Sequence, residues 1–181
     1  AAAAVCEDPP QIILGDASGI LLGLAPGGDK VVWRRENRVA VVSSPAIAGH
    51  TLYAAAGTAV FAIDLQAKKE LWSTALPSTV RSSVCVAEGL VLVGCEDGLV
   101  VALDGRDGAK RWETRAGDAV ESTPAVRGQQ VYFGSHDGKV RAVRLKDGQP
   151  LWELKTDGPV NSSPAVSDKS VVIGSWDRHV Y

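Results

Sequence analysis

The chain repeats itself about every forty residues. Trp33, Trp72, Trp112 and Trp152 follow one another at intervals of 39, 40 and 40 residues, and a fixed period of this size decides architecture ahead of any local propensity. The text around each tryptophan moves with it. SSPAIAG from Ser43, SSVCVAEG from Ser82, STPAVRG from Ser122 and SSPAVSD from Ser162 keep the same spacing. GCEDGLVVALD from Gly94 returns as GSHDGKVRAVR from Gly134, as GSWDRHVY from Gly174 and as GDASGILLGLA from Gly15. Carried backwards, the register lays AAVCEDPPQIILG from Ala3 over SSVCVAEGLVLVG from Ser82. The repeat units therefore span about residues 2–41, 42–80, 81–120 and 121–160, with half a unit at 161–181.

The third unit shows what one repeat folds into. Residues 82–87 read as a strand of small side chains, Glu88 and Gly89 turn it, and LVLVG at 90–94 runs back. Asp97 and Gly98 form the pair that a type I′ hairpin favours, LVVALD at 99–104 follows, and a turn at Asp107 and Gly108 leads into AKRWETR. Apolar runs of four to six residues bounded by glycine turns fit strands buried on both faces. A lone four-stranded sheet cannot hide two apolar faces, so each unit needs its neighbours. Radial stacking around a channel solves that packing problem. The expected fold is all-β: a β-propeller of four-stranded antiparallel blades, four and a half of them in this chain. A stacked β-helix, the competing solution, usually lacks paired hairpin turns within its period.

A further pattern is AxDxxxGxxxW. Ala102, Asp104, Gly108 and Trp112 match it fully; Ala142, Gly148 and Trp152 match with Arg144 in place of the aspartate; Ala62, Asp64 and Trp72 match without the glycine. Together with the SSPAV opening and the GSxDGxVYALD middle, this resembles the tryptophan-docking repeat of the pyrroloquinoline-quinone-like (PQQ-like) propeller family, along the whole chain. The resemblance implies that Trp33, Trp72, Trp112 and Trp152 dock each blade on the next. Burying an indole of ~150–250 Å² at ~25 cal/mol per Å² stabilises by about 4–6 kcal/mol before entropic corrections. WD40 repeats share the period, but Gly49-His50 and Trp176-Asp177 occur once each and out of register.

Composition narrows the function. With 45% hydrophobic and 22% charged residues and a net charge of −2, the chain is neither disordered nor an apolar membrane span. Lysine and arginine are scattered, without the basic stripe that a nucleic-acid backbone demands, so nucleic acid is not an expected partner. AAAAVC at the N-terminus has neither the basic nor the apolar region of an intact signal peptide. Three cysteines do not make a disulfide framework, and Cys85 and Cys95 stand where sister repeats carry alanine or serine, as small buried residues do.

Candidate sites come from positions whose chemistry changes while the frame stays constant. The residue before each SSPA-type strand is Ala2, Val42, Arg81, Glu121 or Asn161. Because that strand is normally innermost in a propeller, Arg81, Glu121 and Asn161 are placed at the channel mouth as a polar cluster for a ligand or a protein loop. Trp176 sits in the hairpin turn where sister repeats carry Glu96 or His136, and is expected to be exposed or at a contact. The loops at 34–41, 73–80, 114–121 and 154–161 would carry recognition.

Two functions compete. The first is a non-catalytic scaffold, without cofactor, for protein or ligand recognition through the channel-mouth loops. The second, implied by the resemblance, is part of a quinoprotein alcohol or sugar dehydrogenase using PQQ and calcium, for which Glu121 and Asn161 have the oxygen chemistry. No catalytic residue stands out: Asp97, Asp107, Asp137 and Asp147 occupy turns where aspartate is the ordinary choice, and His50, His136 and His179 have no metal-site spacing. Partners are expected to be a protein or further copies of the chain, since an unfinished ring exposes sheet faces. The family implies a periplasmic or extracellular location.

Overall fold

Each forty-residue unit closes into one antiparallel meander. The computed structural model describes residues 2–41 and 43–181, and of Ala2 only the backbone. The first sheet holds β1 (Ala2–Glu7), β2 (Pro10–Gly15), β3 (Ile20–Leu24) and β4 (Val31–Glu36). The second holds β5 (Ala46–Ala48), β6 (Thr51–Ala56), β7 (Ala59–Asp64) and β8 (Lys69–Ala75). β9 (Cys85–Ala87), β10 (Leu90–Gly94), β11 (Leu99–Asp104) and β12 (Lys110–Arg115) make the third. The fourth comprises β13 (Ala125–Arg127), β14 (Gln130–Ser135), β15 (Lys139–Arg144) and β16 (Pro150–Lys155), and β17 (Ala165–Val166) with β18 (Val171–Val172) forms a two-stranded remainder. In every sheet, strands adjacent in sequence are adjacent in space. This is the all-β propeller architecture, present as a sector of blades.

The continuous apolar runs have a simple cause. Successive side chains of a strand point to opposite faces, and here each face meets a different neighbour. Val91, Val93, Leu99, Val101 and Leu103 of the third blade pack into a core shared with Tyr53, Val60, Ala62 and Trp72 of the second. The alternate residues Leu92, Val100 and Ala102 join Val131, Phe133, Val143 and Leu145 of the fourth. Cys6, Ile13 and Leu21 meet Leu52, Phe61 and Leu65 between the first and second blades. The cores therefore lie between sheets, and no blade has one of its own.

Two local expectations are corrected. The innermost strand of the third blade begins at Cys85, not Ser82. In its place the buried Ser82 hydroxyl accepts the Gly94 N–H at 2.7 Å, and Ser122 and Ser162 accept from Gly134 (3.0 Å) and Gly174 (2.8 Å). Side-chain oxygens thus replace rungs of the ladder. In the first blade, alanines occupy the serine positions and β1 pairs directly with β2 over six residues, from Ala2 opposite Gly15 to Glu7 opposite Pro10. The second correction concerns the Asp97-Gly98 turn. Only Gly98 has positive φ (86°), the Gly98 N–H bonds Cys95 O, and Cys95 N–H bonds Leu99 O, so three residues form the loop. Two consecutive left-handed residues, the type I′ signature, occur instead at Glu88 (φ 48°) and Gly89 (φ 76°).

The docking motif has a physical explanation. Trp72 and Trp112 are 8% and 7% exposed. Their indole N–H groups donate to the carbonyls of Gly105 (3.0 Å) and Leu145 (2.7 Å), each in the following blade. A Cβ at Gly108 would meet the Trp72 ring at 2.5 Å, and one at Gly148 the Trp112 ring at 2.5 Å. The glycine of AxDxxxGxxxW is therefore the seat for the preceding blade's indole. Two tryptophans depart from the expected docking. Position 68, the corresponding seat for Trp33, holds Lys68. The half-buried Trp33 packs against the core between the first and second blades, but donates to Gln11 Oε1 (2.5 Å) in its own blade. Trp152 is 43% exposed and tilts against Tyr132, with ring centroids 5.9 Å apart. Its seat would fall 36 positions on, at 188, beyond the 181 residues of the chain.

Candidate functional site

The first strands of the blades lie side by side, joined by a chain of hydroxyl contacts. Ser44 N–H donates to Ser83 Oγ (3.0 Å), Ser83 N–H to Thr123 Oγ1 (3.2 Å), and Thr123 N–H to Ser163 Oγ (3.0 Å). The hydroxyls of Ser83, Thr123 and Ser163 thus bridge neighbouring blades, while those of Ser43, Ser82, Ser122 and Ser162 bond within their own. Immediately before this line stand the valines Val41, Val80, Val120 and Val160, all buried. Val41 and Val120 close on Gly15 and Gly94, where a Cβ would come within 2.7 and 2.5 Å, and Val160 closes on Gly134 in the same way. These contacts fix the backbone at the rim position that follows each valine.

The rim is double. The loop entering each blade and the hairpin turn between its second and third strands share one face. Glu96 N–H donates to Thr79 O, His136 N–H to Ala119 O and Trp176 N–H to Pro159 O, each at 2.9 Å. Consequently each of the last three blades presents two neighbouring rim residues. These are Arg81 with Glu96, Glu121 with His136, and Asn161 with Trp176. The first two blades carry Ala2 with Ala17, and Val42 with Gly57; Val42 lies outside the described residues and Ala2 is described by its backbone alone. In these two columns, polar and aromatic residues occur only in the third, fourth and fifth blades.

The six side chains divide into two groups. Arg81 pairs with Glu96 at 2.7 Å, both at the surface. The Glu96 carboxylate raises the pKa of Arg81 above its ordinary value, and the charge of Glu121 acts in the same direction. In the next sector Glu121 Oε2 accepts from Asn161 Nδ2 at 3.1 Å, and His136 Nε2 lies 3.4 Å away. The His136 ring tilts against Trp176 with centroids 6.4 Å apart, and the Trp176 indole is 69% exposed. His136 Nε2 and Asn161 Oδ1 are buried atoms without a hydrogen-bond partner. Of the four residues read from sequence, Glu121 and Asn161 meet directly, Trp176 joins them through His136, and Arg81 is engaged by Glu96.

The turn aspartates are structural. Asp137, half-buried, is held by Arg141 (2.6 Å) and accepts Gly117 N–H (2.8 Å) from the entering loop. Desolvation would raise its pKa, but these contacts outweigh it and the carboxyl is lowered. Asp177 accepts from Asp157 N–H (3.0 Å), His179 N–H (2.8 Å) and Tyr181 (2.7 Å), and these hold it at about 2 against desolvation.

Comparison with known proteins places this geometry. The family described as outer membrane protein assembly factor BamB, built on the PQQ-like repeat, matches residues 17–181. The chain belongs to this family. Among solved structures, BamB from Moraxella catarrhalis superposes with a TM-score of 0.85 at 20% identity, over 98% of this chain and 59% of that one. The computationally designed protein Ika8 gives 0.85 at 18% identity, covering 94% of this chain and 54% of its own. The designed Ika4 gives 0.70 at 20% identity, covering 77% and 90%. The chain therefore spans little more than half the length of the first two. No curated protein matches it.

Within the BamB family frame, sequence reasoning overlooked Glu96 and His136 as partners of Arg81 and Glu121. The signal was available: comparing the repeats at the turn position, Ala17, Gly57, Glu96, His136 and Trp176, shows the same change from plain to polar as the column before the strand. What the sequence could not show is that the two columns touch, because backbone bonds between loop and turn bring them together.

Proposed function

We propose that the chain is a non-catalytic propeller scaffold that recognises a protein partner through the rim of its third, fourth and fifth blades. The observation that carries this reading is the confinement of six polar, charged or aromatic side chains, of five residue types, to adjacent rim positions of three consecutive blades, on a frame otherwise repeated. Membership of a family named for an assembly factor supports recognition as the general role. The chain contains no helix long and apolar enough to cross a membrane among its described residues, which leaves the partner's location open to experiment.

The dehydrogenase alternative needs Glu121 and Asn161 to turn oxygens toward one calcium ion. The arrangement lends that role no support: Asn161 turns its amide nitrogen, not its oxygen, to the Glu121 carboxylate. No step through PQQ or calcium is derived.

The test is site-specific photocrosslinking. A crosslinking amino acid at position 176 is expected to capture a protein partner, and Arg81→Ala or Glu121→Ala to reduce capture at least severalfold. The same group at Leu71, exposed on the outer strand β8, is expected to capture none. Equal capture from positions 71 and 176, or capture indifferent to both alanine variants, would remove the reading.

A further inference from the structure

In the rim-face turns of the third and fourth blades, carboxylates are compensated by arginine. Glu96 pairs with Arg81 (2.7 Å), Asp97 with Arg115 (3.3 Å) and Asp137 with Arg141 (2.6 Å). In the loops entering the fourth and fifth blades, and in the turn of the fifth, the pattern changes. Asp118, Glu121, Asp157 and Asp177 form no ion pair with lysine or arginine among the described residues; Glu121 has only His136 at 3.4 Å and Asp177 only His179 at 3.4 Å. Backbone contacts tie these four to one neighbourhood. Ala119, next to Asp118, receives the His136 N–H, and Asp157 N–H bonds Asp177 (3.0 Å), beside Trp176. Arg178 is exposed in the same turn and pairs with none of them. Asp118, Glu121 and Asp157 are exposed, and so is the indole of Trp176, which His136 links to Glu121.

A sector whose carboxylates form no ion pair with lysine or arginine, beside a solvent-facing aromatic ring, has a definite complement. A guanidinium or ammonium is attracted both by carboxylates and by the face of an indole, and arginine also lays its planar group on such a face. An anion would meet three exposed carboxylates here, and an apolar residue would leave their charge unpaired. We propose that the sector bounded by Asp118, Glu121, Asp157 and Trp176 receives a basic side chain, lysine or arginine, projecting from the protein partner. This rests on the recognition reading above and specifies the chemistry of the residue recognised. The head group would sit against Glu121 with its stem along Trp176, and the Glu121 contacts from Asn161 and His136 would keep the carboxylate in place.

The probe is a short synthetic peptide of glycine and serine around one arginine, acetylated and amidated so that arginine carries its only charge, with a glutamate counterpart as control. Binding is followed by the NMR signals of the Trp176 indole N–H and the Asn161 side-chain amide. The arginine peptide is expected to shift both signals saturably at low ionic strength, and the glutamate peptide to leave them in place. Glu121→Gln and Trp176→Ala should each weaken binding by about fivefold or more, whereas Glu88→Gln, in the remote β9–β10 turn, should leave it unchanged. Equal shifts from both peptides, or full affinity in Glu121→Gln with an unaltered spectrum elsewhere, would overturn the proposal. Crosslinking to a partner with no preference for arginine over glutamate would overturn this inference alone. Arginine-specific peptide binding without any crosslinked protein would overturn the recognition reading alone.

Discussion

Trp112 and Trp152 occupy the same position in successive repeats and do different things. Trp112 is buried, bonded to Leu145 O and seated on Gly148; Trp152 is 43% exposed with no seat beneath it. Trp112→Ala is therefore expected to cost about 3–5 kcal/mol, and Trp152→Ala well under half of that, both read from urea unfolding midpoints. Cys95 supplies a pH dependence. Burial pushes its thiol up to about 12, with the nearby Asp97 adding to the shift. The folded chain keeps a proton that the unfolded chain releases above its ordinary value near 9, so this contribution to stability is intact below about pH 9 and lost as pH rises toward 12. Cys95→Ser should flatten that alkaline slope in unfolding curves measured between pH 8 and 11. The buried character of Cys95 was readable from its place among serines and alanines. Cys85, expected from its place among alanines to be buried as well, is only half-buried, though burial still pushes its thiol up to about 11.

At the scale of strands and turns, the serine that opens each unit substitutes for a pairing residue. Ser122 is fully buried and accepts the Gly134 N–H. Ser122→Ala leaves a buried donor without an acceptor, and a loss of about 1–3 kcal/mol is expected by chemical denaturation. Elements of this kind were partly legible. Strands β10 and β11 stand where the apolar runs placed them, because a run bounded by glycine turns leaves little freedom of register. The start of β9 was misread, since serine's hydroxyl completes the ladder without strand geometry and nothing in a propensity scale distinguishes the two. The Trp33 contact was also hidden: its cause is the absence of a glycine at position 68, which matters only once the indole is known to rest there.

For the molecule as a whole, the fold was legible and the site only in part. A forty-residue period with two-faced apolar strands admits few architectures, whereas the meeting of Glu121, His136 and Asn161 depends on backbone bonds between loops that no single repeat encodes. The same scale carries a prediction about association. Every residue of β16 is exposed, including Leu151, Trp152 and Leu154, and Val172 and Val180 lie open in the fifth unit. Apolar surface of this kind draws partners. The 181-residue chain is expected to show a concentration-dependent rise in mass by light scattering, and Leu151→Lys with Leu154→Lys to reduce it. An unchanging monomer mass at high concentration would count against this.

The hydroxyl line through Ser83, Thr123 and Ser163 has a consequence for how such a chain can lengthen. Ser83 and Thr123 each receive from the unit behind and give to the unit ahead, so the third and fourth units share the same hydroxyl fastenings fore and aft. Duplicating residues 81–120 in tandem would furnish the newcomer with both connections at once. A gene could extend this protein by whole modules without redesigning a single joint.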